Sequence, residues 1–295
     1  MSNGFGLFRS VGDPSSVGLT AAIGQLARNI STGLDYVKTG TGDTAWRLAS
    51  AIFGGLFTST AIQSFSGAGA NTYTPTSGMK YALAIITGAG GGAGGADTDG
   101  TNGTVAVGGG GGSGSSRIAL MTAAEVGASQ SATVGTGGTA GSTSGGDGGA
   151  GSDTSIGTLV VAPGGSPGIG SGLNHAATTE SRAGGSGGGS TSGTSTGQGV
   201  FGGPGGYGIA GSCDGTTDIV TGTSGYGGPS FWGGGGRAYT MGTAALAQAL
   251  SQAGEIGQAR GSGGSGALVF AGGAGAAGGA GRDGLIVIIE FVGPA

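Results

Sequence analysis

The residues best suited to chemistry in this chain are few and poorly partnered. His175, the only histidine, precedes Glu180 in "HAATTE", and an imidazole with a nearby carboxylate can exchange a proton with a substrate. No nucleophile pattern or orienting partner accompanies them, so a solvated loop is the expected setting. Cys213 stands directly before Asp214, whose charge disfavours the thiolate that attacks or binds metal. One cysteine allows no intrachain disulfide, and one histidine allows no His-rich metal site. A phosphate-binding loop ends in Gly-Lys-Ser/Thr, but the lysines are Lys38 and Lys80, neither in that frame. "ADTDGTN" (96–102) carries Asp97 and Asp99 without the closing Glu of a calcium loop. "GGAGSDTSI" (148–156) resembles one calcium-binding nonapeptide, but Ser155 occupies the position of its large apolar residue and no stacked repeats follow. Both read as turns whose Asp and Asn serve local backbone bonds. The expectation is a protein that is not an enzyme and takes no cofactor.

Aromatic side chains offer a different chemistry, recognition. Tyr207 in "GPGGYGIAG", Tyr226 in "SGYGGP" and Tyr239 all sit among glycines. A tyrosine supplies a large, rigid, amphipathic contact at low entropic cost, and its ring stacks on sugars. With Asp214 and Asp218 between them, these three tyrosines are the expected contact surface. Phe231 and Trp232 in "SFWGGGG" are expected to be structural, capping glycine runs and burying against one another.

What must position these residues is unusual. Of 295 residues, 81 are glycine, about 27% against roughly 7% in ordinary domains. Collagen is excluded, because runs such as "GGGGG" (108–112) break its three-residue repeat and there are only 7 prolines. A disordered linker is disfavoured by 36% hydrophobic and only 8% charged residues. Each ordered glycine costs roughly 0.5–1 kcal/mol more than alanine, and glycine tracts have no side chains to bury in return. Backbone hydrogen bonds, at about 1 kcal/mol net each, and close backbone packing are what remain. Glycine runs can meet that demand as three-residue-per-turn polyglycine II helices paired side by side. The net charge of −4 offers no basic field for nucleic acid. "MSNGFGLFRS" lacks the pattern of a signal peptide, and "YALAIITGAG" is too short and glycine-rich to cross a bilayer.

Residues 1–71 are poorer in glycine. "SSVGLTAAIGQLARNI" (15–30) places Leu19, Ile23, Leu26 and Ile30 at helical spacing, with Ser15 or Ser16 as cap. "LDYVKTGTGDTAWRLAS" reads as a hairpin of Leu34–Lys38 and Thr44–Leu48. This stretch is either a small α+β attachment module or an N-terminal extension packed on the main domain. From Thr72 short strands alternate with glycine tracts. "KYALAIITG" (80–88) and "GLIVIIEFV" (284–292) are the most apolar and are expected to pair as neighbours. Further strands are expected at 116–126, 131–138 and 154–165. The predicted fold is mainly β with glycine-rich, polyglycine II-capable segments: a small β core in 72–295 projecting its glycine tracts, with an excursion over about 166–283. "AYTMGTAALAQALSQAGEIGQAR" (238–260) has helical spacing at Leu246, Leu250 and Ile256, and a short helix or an insertion loop both fit.

Four blocks in order carry a family resemblance: "YTPTSGMKYALAIITGAGGGAGG" (73–95), "GGDGGAGSDTSIGTLVVAPGG" (145–165), "GPSFWGGGG" (228–236) and "GAGRDGLIVIIEFV" (279–292). Together they resemble the glycine-rich C-terminal domains of bacteriophage tail fibres and related virion proteins. "KTGTGDTAW" (38–46) is similar to a short segment of phage structural proteins. The resemblance implies a homotrimeric or tip-located virion component, assembled in the host cytoplasm and attached to other phage proteins through residues 1–71. Its implied partner is a bacterial surface receptor: a polysaccharide, an outer-membrane protein or a pilus.

Overall fold

The computed structural model describes residues 8–10, 26–29, 35–38, 41–42, 46–48, 59–97, 105–171, 180–211, 220–243, 249–270 and 272–293. The chain divides into two compact units, one of residues 1–61, 76–80 and 290–295 and one of 62–75 and 81–289.

In the smaller unit the described residues form a sheet ordered Phe8–Ser10, Leu26–Asn29, Asp35–Lys38, Trp46–Leu48. The expected hairpin is present, with Tyr36 opposite Leu48 and Lys38 opposite Trp46. The helix expected over 15–30 does not reach its end: Leu26–Asn29 is a strand, parallel to Phe8–Ser10 and antiparallel to Asp35–Lys38. Helical propensity in this stretch is weak, since a helix interior containing Gly18 and Gly24 loses about 1 kcal/mol at each. Pairing on both edges outcompetes it. Residues 15–25, including the proposed caps, lie outside the described residues. The carboxylate of buried Glu290 accepts the Thr76 N–H at 3.2 and 3.3 Å.

Met79–Thr87 and Leu285–Val292, most of whose residues belong to the larger unit, are neighbours, as expected from their apolar runs, in a sheet ordered Thr196–Val200, Ser116–Thr122, Met79–Thr87, Leu285–Val292, Ser59–Phe65. Alternate residues Ala82, Ala84, Ile86, Ala119, Met121, Ile286 and Ile288 are buried on one face. The strand expected over 116–126 stops at Thr122, and Ala123–Val126 form a single helical turn. A capping box explains the change. Glu125 N–H donates to Thr122 Oγ1 at 3.3 Å, and the Thr122 N–H donates to Glu125 Oε2 at 2.7 Å. These bonds hold the Glu125 carboxyl below the usual range. Thr122→Ala is expected to cost about 1 kcal/mol in chemical denaturation.

The other strands expected from sequence are shorter than drawn: Gln130–Val134, and the hairpin Thr154–Ile156 with Val160–Ala162. The 238–260 segment forms no helix in its described residues, 238–243 and 249–260. It contributes the strands Thr240–Thr243 and Leu250–Gln252 and then a glycine-lattice run at 253–257, with Leu246 outside the described residues. Leu250 packs on a core of Val105, Val107, Ala210, Leu268 and Phe270, whereas Ile256 is exposed.

The glycine tracts do not project from a β core; they are a core. Every residue of 88–96 and 108–116 is buried, and their backbone bonds follow a strict three-residue cycle. In the first run the N–H groups of Gly88, Gly91 and Gly94 donate to Ser115, Gly112 and Gly109. Those of Ala89, Gly92 and Gly95 donate to Ser152, Gly149 and Gly146, and those of Gly90, Ala93 and Ala96 to Arg282, Gly279 and Ala276, all at 2.7–3.0 Å. The carbonyls cycle likewise. Those of Ala89, Gly92 and Gly95 accept from Gly165, Gly168 and Ser171, those of Gly90 and Ala93 from Gly138 and Gly141, and those of Gly91 and Gly94 from Gly264 and Ala267.

A helix with three residues per turn sends successive groups out about 120° apart, so this run has six neighbours in a hexagon. The 108–116 run is enclosed in the same way. It donates to the runs around 261–267, 163–169 and 203–206, and it accepts from those around 88–94, 185–188 and 225–228. The two central runs are antiparallel polyglycine II helices, and one chain closes the lattice around them.

Edge runs must end the lattice without leaving backbone donors unpaired. In the 163–171 run, N–H groups on the three-residue cycle go to side chains of the next run instead of carbonyls: that of Gly164 donates to Asp153 Oδ1 at 3.0 Å, and, six residues on, that of Gly170 to Asp147 Oδ1 at 2.8 Å. Between them stands Pro167, which has no N–H to satisfy. Asp153, within the nonapeptide-like stretch, thus serves a backbone bond across to the next run. Its acceptor role matches the sequence reading; its long range does not.

Candidate functional site

Two adjacent edge runs bring the most exposed aromatics together. The 201–207 run is fixed on its inner sides, where Gly202, Gly205 and Gly206 donate to Gly188, Gly185 and Tyr226, and Gly203 donates to Ser113 Oγ at 2.7 Å. Its outward positions are Phe201, Pro204 and Tyr207, again every third residue. Phe201 is 70% and Tyr207 64% exposed. In the 224–229 run, Gly225, Gly227 and Gly228 donate inward to Gly108, Gly236 and Gly111, which leaves Tyr226 (51% exposed) and Pro229 outward. Both rows interlock through missing side chains. A Cβ at Gly206 would collide with the Tyr226 ring, and one at Gly203 with the Pro229 ring. The result is a ridge of three aromatic rings and two prolines on a backbone that cannot move independently of the lattice.

Of the residues proposed from sequence, Tyr207 and Tyr226 therefore meet on one edge. Tyr239 does not join them. It is half-buried, packs on the Val105–Phe270 core, and donates its hydroxyl to Glu255 Oε1 at 2.9 Å. Asp214, Asp218, His175 and Cys213 lie outside the described residues. Phe231 and Trp232 contact edge to face, with centroids 5.1 Å apart, and Trp232 Nε1 donates to Thr87 Oγ1 at 2.8 Å, but they do not bury one another as expected: both side chains remain exposed. Phe201, Pro204 and Pro229 were missed in the sequence. Their signal was the three-residue spacing in "FGGPGGY" and "YGGP".

No charged residue occurs in 196–211 or 220–229, so the ridge is electrically neutral. Charged residues stand beside these runs: the strand Glu180–Arg182 pairs with Gly208–Gly211, Arg182 opposite Gly208, and Arg237 pairs with Glu255, nitrogens and oxygens 3.2 Å apart. Hydrogen bonds from Arg237 and then from Tyr239 hold the Glu255 carboxyl below its usual range. Burial, then the bond to Glu255, pushes the Tyr239 phenol up. A depressed carboxyl stabilises the fold above its unfolded value, about pH 4.3, and that stability is lost as pH falls through the folded value. A raised phenol stabilises below about pH 10, and this is lost as pH rises through the folded value. The melting temperature of the wild type is expected to fall more steeply than that of Glu255→Gln below about pH 4.3, as scanning calorimetry across pH would show.

Among the described residues no three His, Cys, Asp or Glu side chains cluster to hold a metal, and no helix is long and apolar enough to cross a membrane. A family profile described as a glycine-rich domain matches residues 64–291. The chain belongs to this glycine-rich domain family. No curated protein matches it. The matched span of the glycine-rich domain contains both central runs and the whole aromatic edge.

Proposed function

We propose that this chain is a non-enzymatic bacteriophage virion protein, a homotrimeric tail-fibre or tail-tip component that binds the bacterial surface during adsorption. The observation that carries the reading is the neutral aromatic edge of Phe201, Tyr207 and Tyr226 held on a rigid lattice. Rigid rings lose little entropy on contact, and repetition over subunits and fibres turns weak single contacts into firm adsorption. Residues 1–71 attach the chain to other virion proteins. The order of the four sequence blocks favours this setting.

The test is binding of the fluorescently labelled full chain to a panel of bacterial strains, followed by competition with adsorption of the phage that encodes it. Staining of a susceptible strain together with blocked adsorption is the expected result. Staining of none, with antibody labelling on the virion, would make it a structural spike without a receptor role.

A second reading, an ice-binding polyglycine II protein, is favoured by one observation. The 135–142 run presents Thr136, Thr139 and Ser142 outward at the same three-residue spacing. One hydroxyl row is narrow for an ice plane, and no thermal hysteresis is expected from the purified chain.

A further inference from the structure

We infer that the aromatic edge takes a neutral polysaccharide chain lying along the lattice axis. This rests on the surface-binding reading above and names the ligand class. Three observations select it. First, the ridge is long and narrow. From Phe201 to Tyr207 the run rises roughly 19 Å at 3.1 Å per residue, and two runs spaced like neighbouring strands span roughly 10 Å. That footprint, roughly 200 Å², is far below the ~800 Å² per partner of a stable protein interface, so a second copy or a globular receptor gains too little there. A single polymer chain fits it.

Second, the outward positions repeat. Phe201, Pro204 and Tyr207 recur about every 9 Å along the axis, as do Tyr226 and Pro229 beside them. A linear glycan presents flat pyranose faces at intervals of one or two sugars, and a fixed ladder of rings meets them without rearrangement. Third, the ridge carries no charge from 196 to 211 or from 220 to 229. Ring faces stack on C–H-rich sugar faces, and the phenol hydroxyls of Tyr207 and Tyr226 both donate and accept bonds with sugar hydroxyls. The two runs carry no cation for an anionic polymer, and Arg182, opposite Gly208 on the adjoining strand, is half-buried.

The experiment uses the full chain on an array of bacterial surface polysaccharides, neutral and acidic, with cellohexaose and chitohexaose as defined probes. Expected is binding to at least one neutral glycan, weakened tenfold or more by Tyr207→Ala/Tyr226→Ala. Thr139→Ala, on the 135–142 run, which shares no backbone bond with 201–207 or 224–229, should bind as wild type. Thermal melting of each variant separates lost binding from lost fold. Binding to no glycan, preference for acidic polymers, or equal binding by the double variant would overturn the inference. Cell staining that survives periodate but not protease would also overturn it, while leaving surface binding itself standing, with a protein receptor.

Discussion

Gly111→Ala is expected to abolish folding or to lower stability by at least about 3 kcal/mol. The added Cβ would fall on the carbonyl of Gly91, in a run whose neighbours enclose it on six sides. Relief requires the two central helices to part. In parting they would stretch the bonds from Gly91 N–H to the Gly112 carbonyl and from Gly94 N–H to the Gly109 carbonyl, now 2.7 and 2.9 Å. Overpacking costs roughly 1–3 kcal/mol in an ordinary core, and each lost buried bond adds about 1 kcal/mol or more. Side-chain cores relax by changing rotamers; this one has none to change. Gly189→Ala is the control. Nothing lies within 4 Å of a Cβ there, so the same substitution should leave stability unchanged or raise it by about 0.4–1 kcal/mol through the unfolded chain. Urea denaturation of the two variants would read the contrast directly. Equal effects would mean that the runs are not packed as described.

The second large effect concerns function. Replacing Tyr207 and Tyr226 together with alanine is expected to reduce adsorption of the chain to susceptible cells tenfold or more. Multivalent display multiplies the loss of each weak contact. The melting temperature should shift little, because both rings project from runs whose backbone bonds do not involve the side chains, and exposed substitutions usually change stability by no more than about 0.5 kcal/mol. Phe231→Ala/Trp232→Ala should behave oppositely, lowering stability through the lost Trp232–Thr87 bond while sparing adsorption. If both pairs lowered adsorption only in proportion to their melting temperatures, the tyrosines would be structural and the aromatic edge would not be a contact surface.

Much of the β part was legible because side chains announce it. Alternation and apolar runs marked Met79–Thr87 and Leu285–Val292, and a Gly/Thr/Asp turn marked the hairpin ending at Trp46–Leu48. The helical readings failed where a few spaced leucines and isoleucines were treated as one stripe. In the described residues Leu26 and Leu250 belong to separate strands, and Ile256 to a lattice run. The lattice was legible only as a demand for backbone bonds. A glycine run has no side chain to reveal its period, so neither the two-residue nor the 3.6-residue pattern could register it. The period is written instead in the residues that interrupt the glycines. Thr136, Thr139 and Ser142, Asp147, Ala150 and Asp153, and Phe201, Pro204 and Tyr207 each recur every third position, because only the outward direction of an edge run has room for them. Tyr207 and Tyr226 could be chosen for their chemistry, but that they share an edge follows from this three-residue cycle alone.

The closed lattice is tested most directly by amide hydrogen exchange of the native chain, resolved at 88–96 and 108–116. If the glycine tracts are the core, their amides exchange only through global unfolding, as slowly as the strand amides of Ala82–Ile86 and Ile286–Ile288, and more slowly than those of exposed Ser59–Thr60. Exchange of the central glycines within seconds, while the strands stay protected, would contradict it: the tracts would then be loops carried by a β core.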